Sequence, residues 1–213
     1  MFWLIENSKQ FEVLKNSGFK EAFVEIIPNN PYQHPIENSI CAFYVRPIQG
    51  HKGYILPISH TECGTLFEDD VYLWLKGLET IYVRDKKEFL HYTIFKQLID
   101  VTLHLPPYIL PKTTAHTILY SRFPDLLTIN QIVPITKHYE VCEQVYDDLE
   151  HHVNTALNPF YNDRATLVFN AIERNGIKID KNEFKKHFYE IEDEFIYTQY
   201  NFKTLTTRPS NKF

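Results

Sequence analysis

The sequence predicts an α/β fold, a mixed sheet flanked by helices and followed by a short helical hairpin. Short apolar runs rich in Phe, Ile, Val and Tyr dominate the first sixty residues, and Pro, Asn and Gly bound them, which is typical of strands. From Thr136 onward, apolar residues recur at three- and four-residue steps, which indicates helices. Strands first, with helices around and after them, favour a sheet-centred domain followed by a helical part.

Four apolar runs predict the strands of this sheet, at residues 2–5, 22–27, 39–47 and 53–58. The segment between the last two, IQGHKG, is typical of a hairpin connection. Helical patterning predicts the accompanying helices at residues 8–17, 68–82 and 86–97.

A second part of the chain is predicted after Asn158-Pro159, because this dipeptide breaks the preceding helical pattern. We therefore divide the chain into residues 1–157 and 158–213. Residues 162–197 are expected to form a helix, a tight turn at Gly176 and a second helix that starts at Asp180. Such a hairpin is generic, and a purely packing role for its apolar face is the simplest interpretation.

Composition excludes several classes of protein. Of 213 residues, 44% are hydrophobic and 23% charged, as in ordinary globular domains, so fibrous and disordered chains are excluded. No run approaches the roughly 18 apolar residues of a membrane span, and the N-terminus resembles a strand rather than a secretion signal. Three widely spaced cysteines argue against a disulfide framework, so we expect no membrane association and a cytoplasmic location.

Charge is distributed unevenly along the chain. The net charge is -5, and residues 1–150 contain 13 basic and 19 acidic side chains, whereas residues 151–213 contain 9 basic and 8 acidic ones. After Thr198 there are basic residues and no acidic ones. Because phosphate contacts need clustered Lys and Arg, this tail is the one locally basic candidate for nucleic-acid binding.

Three segments carry motifs of a known family in that family's order. Residues 127–132 read LTINQI and are followed by HY at 138–139, residues 167–180 read LVFNAIERNGIKID, and residues 204–211 read TLTTRPSN. They resemble, respectively, the run into the last exonuclease helix, the thumb signature L-x-x-I-E-x-x-G-I-x-V-D and the palm segment T-x-T-G-R-x-S of the family A DNA polymerases. Thr207 stands where that palm segment usually has Gly.

The resemblance implies that residues 1–157 form a ribonuclease H-like 3′–5′ exonuclease domain. It implies that residues 158–213 form a thumb-like segment and the beginning of the polymerase palm. Exonucleases of this family hold two divalent ions, Mg²⁺ or Mn²⁺, which activate water and stabilise the leaving oxygen. Their carboxylates come from D-x-E on the first strand, an Asp on a middle helix and Y-x-x-x-D on the last helix.

This chain departs from that carboxylate pattern. In the strand sequence FVEII, Glu25 stands where the first Asp belongs and Ile27 replaces the Glu. In the last helix, Tyr139 is kept and Glu143 occupies the Asp position. The resemblance therefore makes Glu25, Tyr139 and Glu143 the candidate catalytic residues, with Glu25 and Glu143 as candidate metal ligands.

The middle-helix Asp has no counterpart in register, and Asp85 and Glu88 are the nearest acids. An added methylene moves a carboxylate by about an ångström, and a displacement of that size can cost roughly 10²-fold in rate. We therefore expect a degenerate, inactive site. Two alternatives stay open: Glu25 as a strand-end acid in water, and Tyr139 as a core residue.

The C-terminal residues are candidates for DNA contact. The resemblance implies that Arg208 and Ser210 lie near the primer–template backbone, where basic and hydroxyl side chains suit phosphate. Lys203 and Lys212 complete the basic set. The alternative is a disordered basic tail.

The expected function is that of the N-terminal fragment of a family A DNA polymerase, of viral or bacterial type. The abbreviated thumb suggests a phage, with the protein then in the host cytoplasm. The exonuclease-like domain would scaffold the remainder of the polymerase chain and guide single-stranded or primer–template DNA. Two alternatives remain: an active metal-dependent 3′–5′ exonuclease, and a non-enzymatic ribonuclease H-like interaction module. The chain as given stops before the palm aspartates, so it is not expected to polymerise.

Overall fold

The structure is a computed structural model, and it describes residues 2–30, 33–48, 50, 52–58, 66–83, 85–100, 163–187, 195–197, 199–201 and 210–212. The chain divides into two compact units, Met1–Pro159 and Phe160–Phe213, and each is described by itself. Among these described residues, no helix combines the length and the apolar character needed to cross a bilayer.

The first unit contains one mixed sheet. Its described strands are β1 (Phe2–Leu4), β2 (Glu21–Pro28), β3 (Ile40–Pro47), β4 (Gly53–Pro57), β5 (Thr80–Val83) and β6 (Leu98–Asp100). They lie in the order β1-β4-β3-β2-β5-β6. Strands β2, β3 and β4 form an antiparallel meander. Strands β5 and β6 continue the sheet parallel to β2, and β1 lies parallel to β4 at the other edge.

Helices flank this sheet. They are α1 (Ser8–Lys15), α2 (Glu68–Lys76) and α3 (Lys86–Tyr92), and a short 3-10 helix (Pro35–Glu37) precedes β3. The Asn7 side chain begins α1 by accepting a hydrogen bond from the Gln10 backbone N–H at 3.0 Å. The predicted mixed α/β sheet with flanking helices is confirmed by this arrangement.

The prediction of one helix over residues 68–82 is wrong in its second half. Helix α2 ends at Lys76 and is followed by strand β5. Leu75, Leu78 and Tyr82 have helical spacing, but β5 lies inside the sheet with buried residues on both faces, so its apolar run does not alternate. Likewise, α3 ends at Tyr92, short of the predicted residue 97, and β6 follows.

The main core lies between one face of the sheet and the three helices. It includes Val24, Phe43, Leu56, Leu75 and Ile81, each at most 1% exposed. On the opposite face of the sheet another set of side chains is also buried: Phe23, Ile27, Tyr44 and Ile55. The sheet interior is therefore largely apolar on both faces, which accounts for the nearly continuous apolar runs in the sequence.

Gly53 allows a close approach within this second face. A Cβ atom added at Gly53 would overlap the ring and hydroxyl of Tyr44, because that ring lies directly over the glycine. Tyr44 is fully buried. The first residue of β4 is therefore a position where the absence of a side chain is a packing requirement.

Trp74 joins two helices and the loop after the first of them. Its ring packs edge-on against Phe11 of α1, with centroids 5.5 Å apart, and against Phe19 at 5.6 Å. Edge-to-face pairs of this kind add to the stabilisation from apolar burial. Trp74 therefore holds α1 and α2 together on their shared face of the sheet.

Tyr72 makes the stability of the first unit sensitive to alkaline pH. Burial, and after it the nearby Glu68 carboxylate, raises the pKa of Tyr72 to about 12. A tyrosine in the unfolded chain ionises near pH 10. The stability due to neutral Tyr72 is therefore complete below about pH 10 and is lost as the pH rises towards 12.

We expect the midpoint temperature of thermal unfolding to decrease as the pH rises from 10 to 12. In Tyr72→Phe this decrease should be smaller. Circular dichroism melts at half-unit pH steps measure it. Equal slopes in the two proteins would contradict the assignment. Absorbance of tyrosinate gives an independent reading, because Tyr72→Phe should remove an ionisation near pH 12.

The second unit begins with the predicted helix and turn. Its described elements are α4 (Asp163–Asn175), β7 (Ile177–Lys178), α5 (Lys181–His187), β8 (Phe195–Ile196), β9 (Gln199–Asn201) and β10 (Ser210–Lys212). Gly176 has φ 65, the left-handed conformation that ends α4. Asp180 Oδ1 accepts hydrogen bonds from the backbone N–H groups of Asn182 and Glu183, so the predicted start of the second helix is confirmed.

The predicted helix up to residue 197 is wrong at its end, because Phe195 lies in β8, paired antiparallel with β7. Strands β9 and β10 also pair antiparallel. Residues 188–194 of the predicted helix lie outside the described residues.

Candidate functional site

Glu25 lies on the central strand of the sheet. It is paired with Tyr44 of β3, and Phe23, two residues earlier, is paired in parallel register with Tyr82 of β5. Because side chains alternate along a strand, Glu25 shares a face with Phe23 and Ile27, opposite to the helix-covered core. Glu25 is half-buried. A strand-end acid in water is thus a poor description of it, since aromatic and aliphatic side chains surround its strand position.

Ile27 takes the place of a second carboxylate on this face. It is 0% exposed and is paired with Ala42 of β3. A buried aliphatic side chain offers no ligand to a cation, and its burial in an apolar layer disfavours a charge at that point. Ile27, which stands where the D-x-E pattern has Glu, therefore contributes to the packing of the sheet.

Asp100 is a buried carboxylate on the edge strand β6, on the other face of the sheet from Glu25. It ends β6 and is paired with Val83 of β5, while Leu98, two residues earlier, is paired with Ile81. Val83, Ile81 and Leu98 all belong to the helix-covered core. Asp100 therefore points away from the face that holds Glu25, two strands from it, and the two carboxylates do not converge.

The Asp100 side chain is engaged in fixing the start of α3. Its Oδ2 accepts a hydrogen bond from the Lys86 backbone N–H at 2.8 Å, and the carboxylate is only 5% exposed. A charged acceptor of this kind satisfies one of the first N–H groups of the helix. The crossover from β5 to β6 is thereby tied to the edge strand.

The acids proposed as loose counterparts of the middle-helix Asp do not form a metal site. Asp85 Oδ1 accepts from the Glu88 backbone N–H at 3.0 Å and caps α3, while the Glu88 side chain is exposed. Phe89, the next residue, is buried in the main core. Asp85 is therefore explained by helix capping.

Helix α3 begins with two lysines. Lys86 and Lys87 are each 6% exposed, which is unusual for lysine. Buried lysine side chains require compensating partners, so these two belong to the packing at the start of α3.

A two-ion centre does not fit the described residues. Within them, no group of three or more His, Cys, Asp or Glu side chains comes together as metal ligands would. Asp85 and Asp100 both accept hydrogen bonds from backbone N–H groups at the start of α3, whereas Glu25 lies on β2, on the other face of the sheet. Tyr139 and Glu143, the other predicted site residues, lie outside the described residues.

The basic C-terminal set is described only in part. Ser210 and Lys212 lie in β10, paired with Asn201 and Gln199 of β9. For residues 210–212 the alternative of a disordered tail is therefore wrong. Lys203 and Arg208 lie outside the described residues.

Sequence reasoning missed Asp100, Lys86 and Lys87. The signal for Asp100 was an acid that ends an apolar run, LID, which marks the carboxyl end of a strand. The two lysines gave no signal, because a Lys-Lys pair in sequence is ordinarily exposed.

Comparison with known proteins gives matches at the level of structure. No protein-family model matches the sequence, and no curated protein matches it. The chain is similar to the EXO domain of Aedes aegypti Nibbler, with a TM-score of 0.46 and 8% identity over 72% of this chain and 88% of that one. It is also similar to Escherichia coli RNase D, an exoribonuclease involved in structured RNA processing, with a TM-score of 0.43 and 11% identity.

That match covers 71% of this chain and 46% of RNase D, so the chain spans about half the length of that enzyme. A third similar structure is the EXD2 exonuclease domain soaked in Mn and dGMP, with a TM-score of 0.34 and 10% identity over 73% of this chain and 91% of that one.

The structural role of Asp100 leads to a stability prediction. We expect Asp100→Ala to lower the free energy of unfolding by about 2 kcal/mol, because a buried N–H at the start of α3 loses its acceptor. Asp100→Asn keeps an acceptor oxygen and should cost about half as much. Urea unfolding followed by circular dichroism measures both. An Asp100→Ala variant as stable as the parent would show that the carboxylate does not anchor α3.

Proposed function

We propose that the first unit is a degenerate 3′–5′ exonuclease-like domain that contacts nucleic acid without cleaving it. The observation that carries the proposal is the central strand β2, where Glu25 keeps a carboxylate and Ile27 is fully buried beside it. Phosphodiester cleavage by two ions needs several converging carboxylates. The divergence of Glu25 and Asp100 onto opposite faces supports a site that has lost this chemistry.

We further propose that the chain is the N-terminal part of a family A DNA polymerase, and that the second unit is its thumb-like segment. The order of the three sequence motifs supports this, as does the local geometry of the second motif. Gly176 adopts the left-handed conformation, and Asp180 caps the next helix, in the segment that resembles the thumb signature. In this proposal the remainder of the polymerase chain is the principal partner.

DNA is the proposed ligand, either as a single strand or as primer–template. Lys203, Arg208, Ser210 and Lys212 supply its phosphate contacts in this proposal. Such contacts position the nucleic acid and make its affinity fall steeply with salt. The role of the exonuclease-like unit is then to scaffold the polymerase and to guide the strand.

Degradation of a 3′-labelled single strand tests the loss of cleavage. We expect no degradation of DNA or RNA above background with Mg²⁺ or Mn²⁺, and no difference between the parent and Glu25→Ala. Glu21→Ala, at the other end of the same strand, is the matched control. Cleavage that Glu25→Ala abolishes and Glu21→Ala preserves would identify an active exonuclease and overturn the proposal.

Ligand binding tests the remaining parts of the proposal. Divalent ions that bind the folded protein raise its unfolding temperature. We expect Mg²⁺ and Mn²⁺ to leave it unchanged. We also expect labelled single-stranded DNA to bind in low salt, and Arg208→Ala with Lys212→Ala to weaken binding at least threefold. A well-folded protein that binds no nucleic acid would instead favour the non-enzymatic interaction module.

A further inference from the structure

Helix α4 exposes several large apolar side chains and buries three polar ones. Leu167 and Val168 are 51% and 56% exposed, whereas Asn170 is 7% and Glu173 only 1% exposed. The sequence predicted an apolar face on this helix that packs inward, and that orientation is wrong. An amphipathic helix ordinarily turns its apolar face to the core.

The exposed apolar residues form one continuous surface. With 3.6 residues per turn, two adjacent turns of α4 share one side of the helix, and we call their side chains the α4 stripe: Leu167, Val168, Ala171 and Ile172. The buried positions Thr166, Asn170 and Glu173 lie on the opposite side at helical spacing. Apolar surface that faces water while polar groups are buried marks an interaction site.

Positive charge brackets the α4 stripe. Arg164 lies one turn before its first residues, and Arg174 lies near its end, and both side chains are exposed. Asp163 stands next to Arg164 in the sequence. Glu173, the acid among the α4 side chains whose exposure the structure describes, is buried on the other side, so it does not neutralise this surface. The stripe therefore has an apolar centre with a cation at each end.

This charge pattern decides between possible occupants. If two copies paired α4 antiparallel about the centre of the stripe, Arg164 of each would oppose Arg174 of the other. If they paired parallel, each arginine would oppose its own equivalent. Both arrangements bring like charges together, which opposes self-association. The apolar centre is equally unsuited to a phosphate backbone, which needs donors and cations along its length.

We propose that the α4 stripe docks an amphipathic helix of another protein, one with an apolar face flanked by acidic residues. Helices dock on apolar surfaces through residues spaced three and four apart, and such a spacing matches two adjacent turns of α4. Acidic side chains at the ends of the incoming helix would meet Arg164 and Arg174. This inference does not depend on the proposed nuclease-like or polymerase role, because it uses only the second unit.

A synthetic helix provides the probe. An 18-residue fluorescein-labelled peptide with leucines on one face and glutamates flanking them is titrated with the full chain, and anisotropy is recorded. A second peptide carries lysine in place of every glutamate. We expect the acidic peptide to bind with a dissociation constant on the order of 10 μM. We expect the lysine peptide to bind at least tenfold more weakly, and salt to weaken the acidic peptide.

Three variants locate the binding. Two variants should each weaken the binding of the acidic peptide at least tenfold: Val168→Asp, and the double variant Arg164→Glu with Arg174→Glu. Val13→Asp, at a residue of α1 that is 73% exposed, is the matched control and should leave binding unchanged. Equal binding by all of them, or no binding by the parent chain, would overturn the proposal.

The other occupants are distinguished in the same samples. If sedimentation shows a dimer for the parent chain and a monomer for Val168→Asp, the occupant of the α4 stripe is a second copy of the chain and not an acidic helix. A fall of several degrees in the unfolding temperature of Val168→Asp would show that the stripe packs within the chain. Displacement of the acidic peptide by unlabelled single-stranded DNA, rather than by unlabelled peptide, would assign the surface to nucleic acid.

Discussion

Replacing Gly53 by alanine is expected to lower the free energy of unfolding by about 3 kcal/mol, at the upper end of what overpacking costs. The added methyl group would overlap the Tyr44 ring, which lies over the glycine and is fully buried. Tyr44 belongs to the central meander, so its ring has no open space to move into. Urea unfolding measures the loss.

A double-mutant cycle separates this clash from a general effect of substitution in a strand. Tyr44→Leu removes the ring with which the new methyl group would clash. The double variant Gly53→Ala with Tyr44→Leu should therefore lose about 2 kcal/mol less unfolding free energy than the two single variants lose in sum. Gly77→Ala is the control. Gly77 ends α2 with φ −79, an ordinary conformation for alanine, and this change should cost under about 1 kcal/mol. Additive effects of the first two substitutions would refute the packing account.

Trp74→Ala should lower the free energy of unfolding by about 2 kcal/mol, because it removes a large, partly buried aromatic ring that packs against the core. The ring contacts Phe11 and Phe19, so the substitution removes packing against α1 and the segment after it. Thermal melts of Trp74→Ala and of Leu73→Ala measure the difference. Leu73 lies on the same helix and is 73% exposed, so its truncation should change stability by no more than about 0.5 kcal/mol.

Fluorescence gives a second reading of the same contact. The chain contains two tryptophans, so Trp3→Phe leaves Trp74 as the one indole reporter. We expect its emission to shift to longer wavelength in the same transition that circular dichroism follows. An emission change that precedes the loss of secondary structure would show that α1 and α2 separate before the sheet unfolds.

The sequence predicted those strands that have turn residues on both sides. The strands predicted at 39–47 and 53–58 are present and pair as a hairpin, because local turn chemistry and strand patterning agree there. Strand β5 was missed because Leu78 and Tyr82 keep the helical spacing of α2. Only the pairing of β5 with β2 distinguishes it, and that contact is distant in sequence.

The sequence predicted which carboxylates are missing from the candidate site better than it predicted how the remaining side chains are arranged. That residue 27 is an isoleucine rather than a carboxylate is visible in the sequence, and the structure shows that Ile27 is buried. The face on which Asp100 lies could not be inferred, because it depends on the register of β6 against β5. In the same way, the periodicity of α4 defined an apolar side without stating whether that side faced the core.

The position of β1 has a consequence for how the fold assembles. β2, β3 and β4 are neighbours in both sequence and space, so they can form by closing short loops. β1 is first along the chain, yet it pairs with β4, and Trp3 must find Tyr54 across some fifty residues. During synthesis β1 therefore leaves the ribosome before the strand with which it pairs, and it can join the sheet only after β4 has emerged.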